Sequence, residues 1–120
     1  MKSPKRGEVH WVGLDPARGS EMAKRRPCVV LSAKEINDYR RTIVVLPLTT
    51  TDTLAVFPLL IATPSVSASS KVRTEHIRAI DKSRLSGYIT DMGAQDMAEI
   101  ERALCLVLGI TADKAVRSPA

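Results

Sequence analysis

Arginines and threonines set at the ends of apolar runs are the first chemistry this sequence offers. In "KRRPCVVLS" (Lys24–Ser32) three cations stop at a proline and lead into a β-branched run. A guanidinium at a strand start, behind a loop, can pair bidentately with a phosphate, which makes Arg26 a candidate anion ligand. The same letters also describe an ordinary solvated basic loop. In "VVLPLTT", Thr49 and Thr50 end a run that otherwise wants apolar residues, and a hydroxyl there can bond a phosphate oxygen or a reacting hydroxyl. "KVRTEHIRAID" adds Arg73 and Glu75, two residues apart, so that on a strand both leave one face. On a surface such a pair is worth little. In a cleft it is a base beside an electrophile.

Other chemistries lack their signatures. There is no nucleophile elbow, P-loop, HExxH or dinucleotide fingerprint. Cys28 and Cys105 are far apart with no CxxC, and only His10 and His76 accompany them, so we expect two small buried apolar residues, no disulfide, no metal and no cofactor. Residues 1–41 carry ten Lys/Arg against five Asp/Glu, which accounts for the whole net charge of +5. The excess is therefore N-terminal and favours anionic partners, nucleic acid among them. Aromatics make up 3%, too few to stack successive bases, so any nucleic acid must be gripped mainly by its phosphates.

These groups need a frame. At 120 residues the chain is long enough for one domain with one modest core. No apolar run approaches a membrane span, and the N-terminus has cations without an apolar stretch behind them, so no signal peptide is expected and the cytoplasm is the default. "EVHWVGLD" (Glu8–Asp15) alternates as a half-buried strand, with Val9, Trp11 and Gly13 toward one side. A loop follows, then a short strand in "RPCVVLSA", with Pro27 near its start. "KEINDYRR" predicts a short helix or turn. "TIVVLPLTT" (Thr42–Thr50) predicts a central strand interrupted at Pro47, and "FPLLIA" another strand. "TPSVSASS" reads as a mobile small-polar loop, and Lys71–Asp81 as one exposed strand. A helix over Ala94–Leu108 closes the domain. Its stripe is Met97, Ile100, Leu104, Val107 and Leu108, with Gly93 as N-cap and Gly109 as a stop. Residues 111–120 read as a loose tail. Many short strands and one closing helix predict a mainly β, α+β fold: a small β-barrel or curled sheet.

Read in order, "RGEVHWVGLDPARGSEMAKRRPCVVLS", "VVLPLTT", "IRAIDKSRL" and "DMAEIERALCLVLGI" resemble the MazF/PemK/Kid family of toxin ribonucleases, from about Lys5 to Ile110. The resemblance implies an SH3-like, CcdB/PemK-like barrel with a C-terminal helix, assembled as a homodimer. It implies metal-independent cleavage of single-stranded RNA at short motifs. The 2′-hydroxyl attacks the adjacent phosphate, leaving a 2′,3′-cyclic phosphate and a 5′-hydroxyl. It also implies a cognate antitoxin whose C-terminal segment occupies the RNA groove.

By the same resemblance Arg26 matches the family's arginine before the proline, and Thr49 the threonine that contacts the scissile phosphate. Arg73 and Glu75 fall on an Arg-x-Asp pair that supplies acid and base in the PemK/Kid branch. Arginine is a poor proton donor, so an electrostatic role suits both arginines. Ser20 falls where some relatives carry histidine. It joins Glu21, Lys24, Arg25, Thr50, Ser70 and His76 as expected substrate-binding positions, Lys24 and Arg25 steering the RNA backbone. The chain departs from the pattern at His10, Met22 and His76, and Glu75 is a methylene longer than aspartate. Strand alternation would turn His76 away from the active face. Two rival readings are a CcdB-like toxin that poisons a protein such as gyrase without chemistry, and a catalytically silent RNA-binding barrel.

Overall fold

The structure is a computed structural model that describes residues 3–14 and 25–110. Seven antiparallel strands are organised around the most β-branched one. These are β1 (Glu8–Gly13), β2 (Arg25–Val30), β3 (Thr42–Thr50), β4 (Leu60–Ala62), β5 (Ser70–Arg73), β6 (Arg78–Asp81) and β7 (Leu85–Asp91). Two α-helices interleave, α1 (Lys34–Tyr39) and α2 (Ala94–Val107). The sheet order is β4-β5-β3-β2-β1-β7, with β6 also pairing β3. No described helix is long and apolar enough to cross a membrane.

Alternation along β3 splits the core in two. Leu46 and Leu48 point to one face, where Val9, Val29, Ile61, Val72 and Met92 meet Ile100 and Ala103 of α2. Ile43 and Val45 point to the other, with Val12, Leu14, Cys28, Val30 and Ile80. The helix begins as expected at Gly93, whose N–H donates to Ser65 Oγ at 2.9 Å, while Ser65 N–H donates to the Asp96 carboxylate at 2.9 Å. A Cβ at Gly93 would meet Ser65 Cβ at 3.0 Å, so any other residue there would have to push the Ser65 loop back by a few tenths of an ångström. The loop after β4 is therefore tied to the helix rather than free. A buried hydroxyl pair, Thr63 and Ser70 at 2.6 Å, pins its base. Leu108 lies exposed past the helix end, so the buried stripe stops earlier than expected.

Three local readings are corrected. In β1, expected to be half-buried, Val9 and Val12 are both buried, one in each core on opposite faces, while Trp11, on the face of Val9, is 38% exposed. Pro47 does not interrupt β3. On one side it pairs with Cys28; on the other it falls between the β6 ladder, which ends at Val45, and the β5 ladder, which begins at Leu48. A residue with no N–H is tolerated where a ladder changes partner. The "FPLLIA" strand shrinks to Leu60–Ala62.

The fourth correction matters most. Lys71–Asp81 is not one strand: a 3-10 turn over Thr74–His76 separates β5 from β6. Val72 pairs with Leu48 and Arg78 with Val45, so the partner advances six residues while β3 advances three. The surplus is extruded as the turn, which buried Thr74 anchors. Its hydroxyl donates to Pro58 O at 2.6 Å and its N–H to Leu59 O at 3.2 Å.

Cys28 is fully buried, as expected, and Cys105 is only half-buried. Burial pushes the Cys28 thiol up to about 12, opposed in part by the charges of Arg78 and Arg26. With the folded value above the ordinary 9.0, the protonated thiol stabilises fully below about pH 9 and loses that contribution as pH rises toward 12. A disulfide reagent at neutral pH is expected to modify Cys105 in the native protein and Cys28 only after denaturation. Rapid native labelling of Cys28, read by mass spectrometry of peptides, would contradict this burial.

Candidate active site

Side-chain alternation continues past the second core and turns it into a site. On β2 the face of Cys28 and Val30 ends in Arg26; on β3 the face of Ile43 and Val45 ends in Pro47 and Thr49; on β6 the face of Ile80 ends in Arg78. Where the apolar side chains run out, these residues with Leu14, Leu48, Arg73 and His76 line a cleft of about 490 Å³. Three guanidiniums and one imidazole thus converge at the mouth of an apolar wedge. Among the described residues no carboxylate pairs with Arg25, Arg26, Arg73 or Arg78, since the ion pairs present engage Arg6, His10, Lys34, Arg41 and Arg102. Unpaired cations packed into a concave surface suit an anion with several oxygens.

A second cleft, also about 490 Å³, lies on the opposite side of the same strand ends. Trp11, Pro27, Val66 and Ser67 form part of its wall, and the Arg25 guanidinium lies over the Trp11 ring at 5.1 Å from the centroid. Arg26, Leu48 and Thr49 line both clefts. An extended ligand passing from one to the other must cross Arg26 and Thr49.

The expected residues divide by position. Arg26, Thr49, Arg73 and His76 come together in the first cleft; Arg25, Thr50 and Ser70 line the second. The Ser70 hydroxyl is already engaged, donating to Thr63 O at 2.8 Å and accepting from Ser67 N–H at 3.2 Å, so it supports the loop beneath the cleft. Ser20, Glu21 and Lys24 lie outside the described residues, as does Met22. Glu75 is exposed on the 3-10 turn and lines neither cleft. The shared face expected for Arg73 and Glu75 required an unbroken strand, and the extruded turn removes it. The same turn brings His76 into the lining that alternation would have denied it. Sequence reasoning missed Arg78 and Trp11. Arg78 could have been found from register alone, because its partner Val45 shares a face with Thr49.

His10 is held away from the clefts. Its Nε2 lies 2.9 Å from Glu8 Oε1 and its ring meets Tyr88 edge-on at 5.7 Å. Burial raises the Glu8 carboxyl, but hydrogen bonds from His10 and the Lys5 N–H, with the charges of both, hold it below the usual value.

Comparison with known proteins places this geometry among relatives. A family described as the PemK-like, MazF-like toxin of type II toxin–antitoxin systems matches residues 5–108. The chain is 35% identical over 115 residues to Endoribonuclease MazF9 of Mycobacterium tuberculosis, covering 88% of this chain and 97% of that protein. Its structure is similar to that of a Mycobacterial endoribonuclease in complex with its cognate antitoxin, with a TM-score of 0.73 and 26% identity over 92% of this chain and 98% of that one. A MazE–MazF complex from Deinococcus radiodurans gives a TM-score of 0.74 at 26% identity, covering 91% and 99% of the two chains.

Proposed function

Because the chain belongs to the PemK-like, MazF-like family of type II toxin–antitoxin toxins, we propose that its paired clefts seat single-stranded RNA with the scissile phosphate between Arg26 and Thr49. The protein is an endoribonuclease. The observation that carries the finer reading is that Arg26 and Thr49 line both clefts, with Arg73 and Arg78 on one side only. In this reading the 2′-hydroxyl attacks the neighbouring phosphorus, and a crowded phosphorane forms where guanidiniums already stand. Charge that develops in the transition state is met by donors that need not reorganise. The P–O5′ bond breaks, leaving a 2′,3′-cyclic phosphate and a 5′-hydroxyl. Guanidinium charge does here what a divalent ion does elsewhere, so the reaction proceeds without a metal.

The second cleft takes a flanking base, with the Trp11 ring and the Arg25 plane offering flat surfaces for stacking. It supports recognition of a short motif. The toxin is neutralised by a cognate antitoxin, and we assign the antitoxin's C-terminal segment to the same cationic groove, where it competes with RNA. Exposed Val56, Phe57 and Leu59 lie beside α2, linked to it by Arg102 over the Phe57 ring at 4.9 Å. This apolar surface supports assembly as a homodimer.

The test is cleavage of a long unstructured RNA in excess EDTA, with both new ends mapped. Discrete cuts bearing 5′-hydroxyl and cyclic phosphate ends are expected. Intact RNA, cuts that require added magnesium, or 5′-phosphate ends would sink the proposed chemistry.

A further inference from the structure

We propose that His76 is the general base of the cleavage, an inference that rests on the reading of the first cleft as the site of RNA chemistry. Attack by a 2′-hydroxyl needs a group that takes its proton. The described groups facing His76 across the cleft are Arg26 from β2, Thr49 from β3, Arg73 from β5 and Arg78 from β6. Guanidiniums stay protonated and a threonine hydroxyl does not titrate near neutrality. Imidazole side chains as a class exchange a proton in that range. The helix packed against the turn, α2, places no charged group in the cleft. Its acids are engaged elsewhere: Asp96 with Ser65, Glu99 with Arg102 and Glu101 with Arg6. On the turn itself the neighbouring carboxylate, Glu75, lies outside the lining.

Chemistry then separates the two proton roles. Three guanidiniums can hold the negative charge of a departing 5′-oxygen and so substitute for an acid. They cannot substitute for a base. The imidazole lone pair takes the 2′-hydroxyl proton as the O2′–P bond forms. The P–O5′ bond breaks, its electron pair remains on O5′, and O5′ takes a proton from solvent. The imidazolium returns its proton to solvent, and the enzyme is restored.

The experiment is single-turnover cleavage of a short RNA holding one mapped site, from pH 5 to 9, with wild type, His76→Gln, His76→Ala and Glu75→Gln. The wild-type rate is expected to rise with pH through an inflection. His76→Gln should lose about 100-fold or more in rate, together with that inflection. It should bind the same RNA, with a 2′-deoxy sugar at the cut, within about threefold of wild type, as a lost base requires and a lost phosphate contact does not. Added imidazole should restore part of the activity of His76→Ala. A His76→Gln enzyme with near wild-type rate and profile overturns the assignment. So does a rate loss matched by an equal loss of binding to the deoxy RNA, or removal of the inflection by Glu75→Gln instead. If wild type cuts RNA and only these arms fail, this inference alone falls. If wild type does not cut, the reading of the cleft falls with it.

Discussion

Replacing Arg26 with alanine is expected to lower the cleavage rate by about 100- to 1,000-fold while leaving the protein folded. The size is that of removing one preorganised donor from a developing oxyanion. The Arg26 side chain is exposed, and the residues that hold β2 in place, Cys28, Val29 and Val30, are fully buried behind it. Truncation therefore removes charge and hydrogen bonds without opening a cavity. Arg26→Lys should recover only part of the rate, because an ammonium cannot span two phosphate oxygens as a planar fork does. The measurement is single-turnover rate beside the thermal unfolding midpoint. A variant that retains wild-type rate, or one that loses rate only because it unfolds, would remove Arg26 from the centre of the mechanism.

Ile100→Ala is expected to cost about 2–5 kcal/mol of folding stability, the largest effect we expect from a core truncation outside the clefts. Ile100 is fully buried, and with Ala103 it carries α2 into the cluster of Val9, Val29, Leu46 and Val72. The loss combines transfer of the removed methylenes with the void left between helix and sheet, which a strand-anchored core cannot readily collapse. Leu106→Ala, 62% exposed on the same helix, should stay within about 0.5 kcal/mol of wild type. Urea unfolding decides the matter, with the midpoint falling for Ile100→Ala at an unchanged slope. Equal midpoints for the two variants would mean that α2 does not carry the core as its packing implies.

Much of the frame was legible because its signals are local. The β-branched density of Thr42–Thr50 identifies β3 to the residue, and 3.6-residue periodicity with flanking glycines places α2 within one residue of its observed end. The spacing around Arg26 left it open between an anion ligand and a solvated basic loop, and its position at the rim of both clefts comes from the fold. The expectation failed where local signals compete with long-range pairing. Lys71–Asp81 has enough alternation to look continuous, yet β3 accepts β5 and β6 in registers three residues apart. Pro47 has no N–H to pair across the junction, and buried Thr74 is bonded to Pro58 and Leu59, far away in the chain. No window of sequence contains those partners.

The residue types, the faces of uninterrupted strands and the N-terminal charge were therefore settled by the amino-acid order, through spacing and hydropathy that act within a few residues. Which groups share the cleft was decided by the fold. A three-residue surplus shifts the phase of a strand, and with period-two side chains an odd shift exchanges its faces. Glu75 lies outside the first cleft and His76 lines it for that reason.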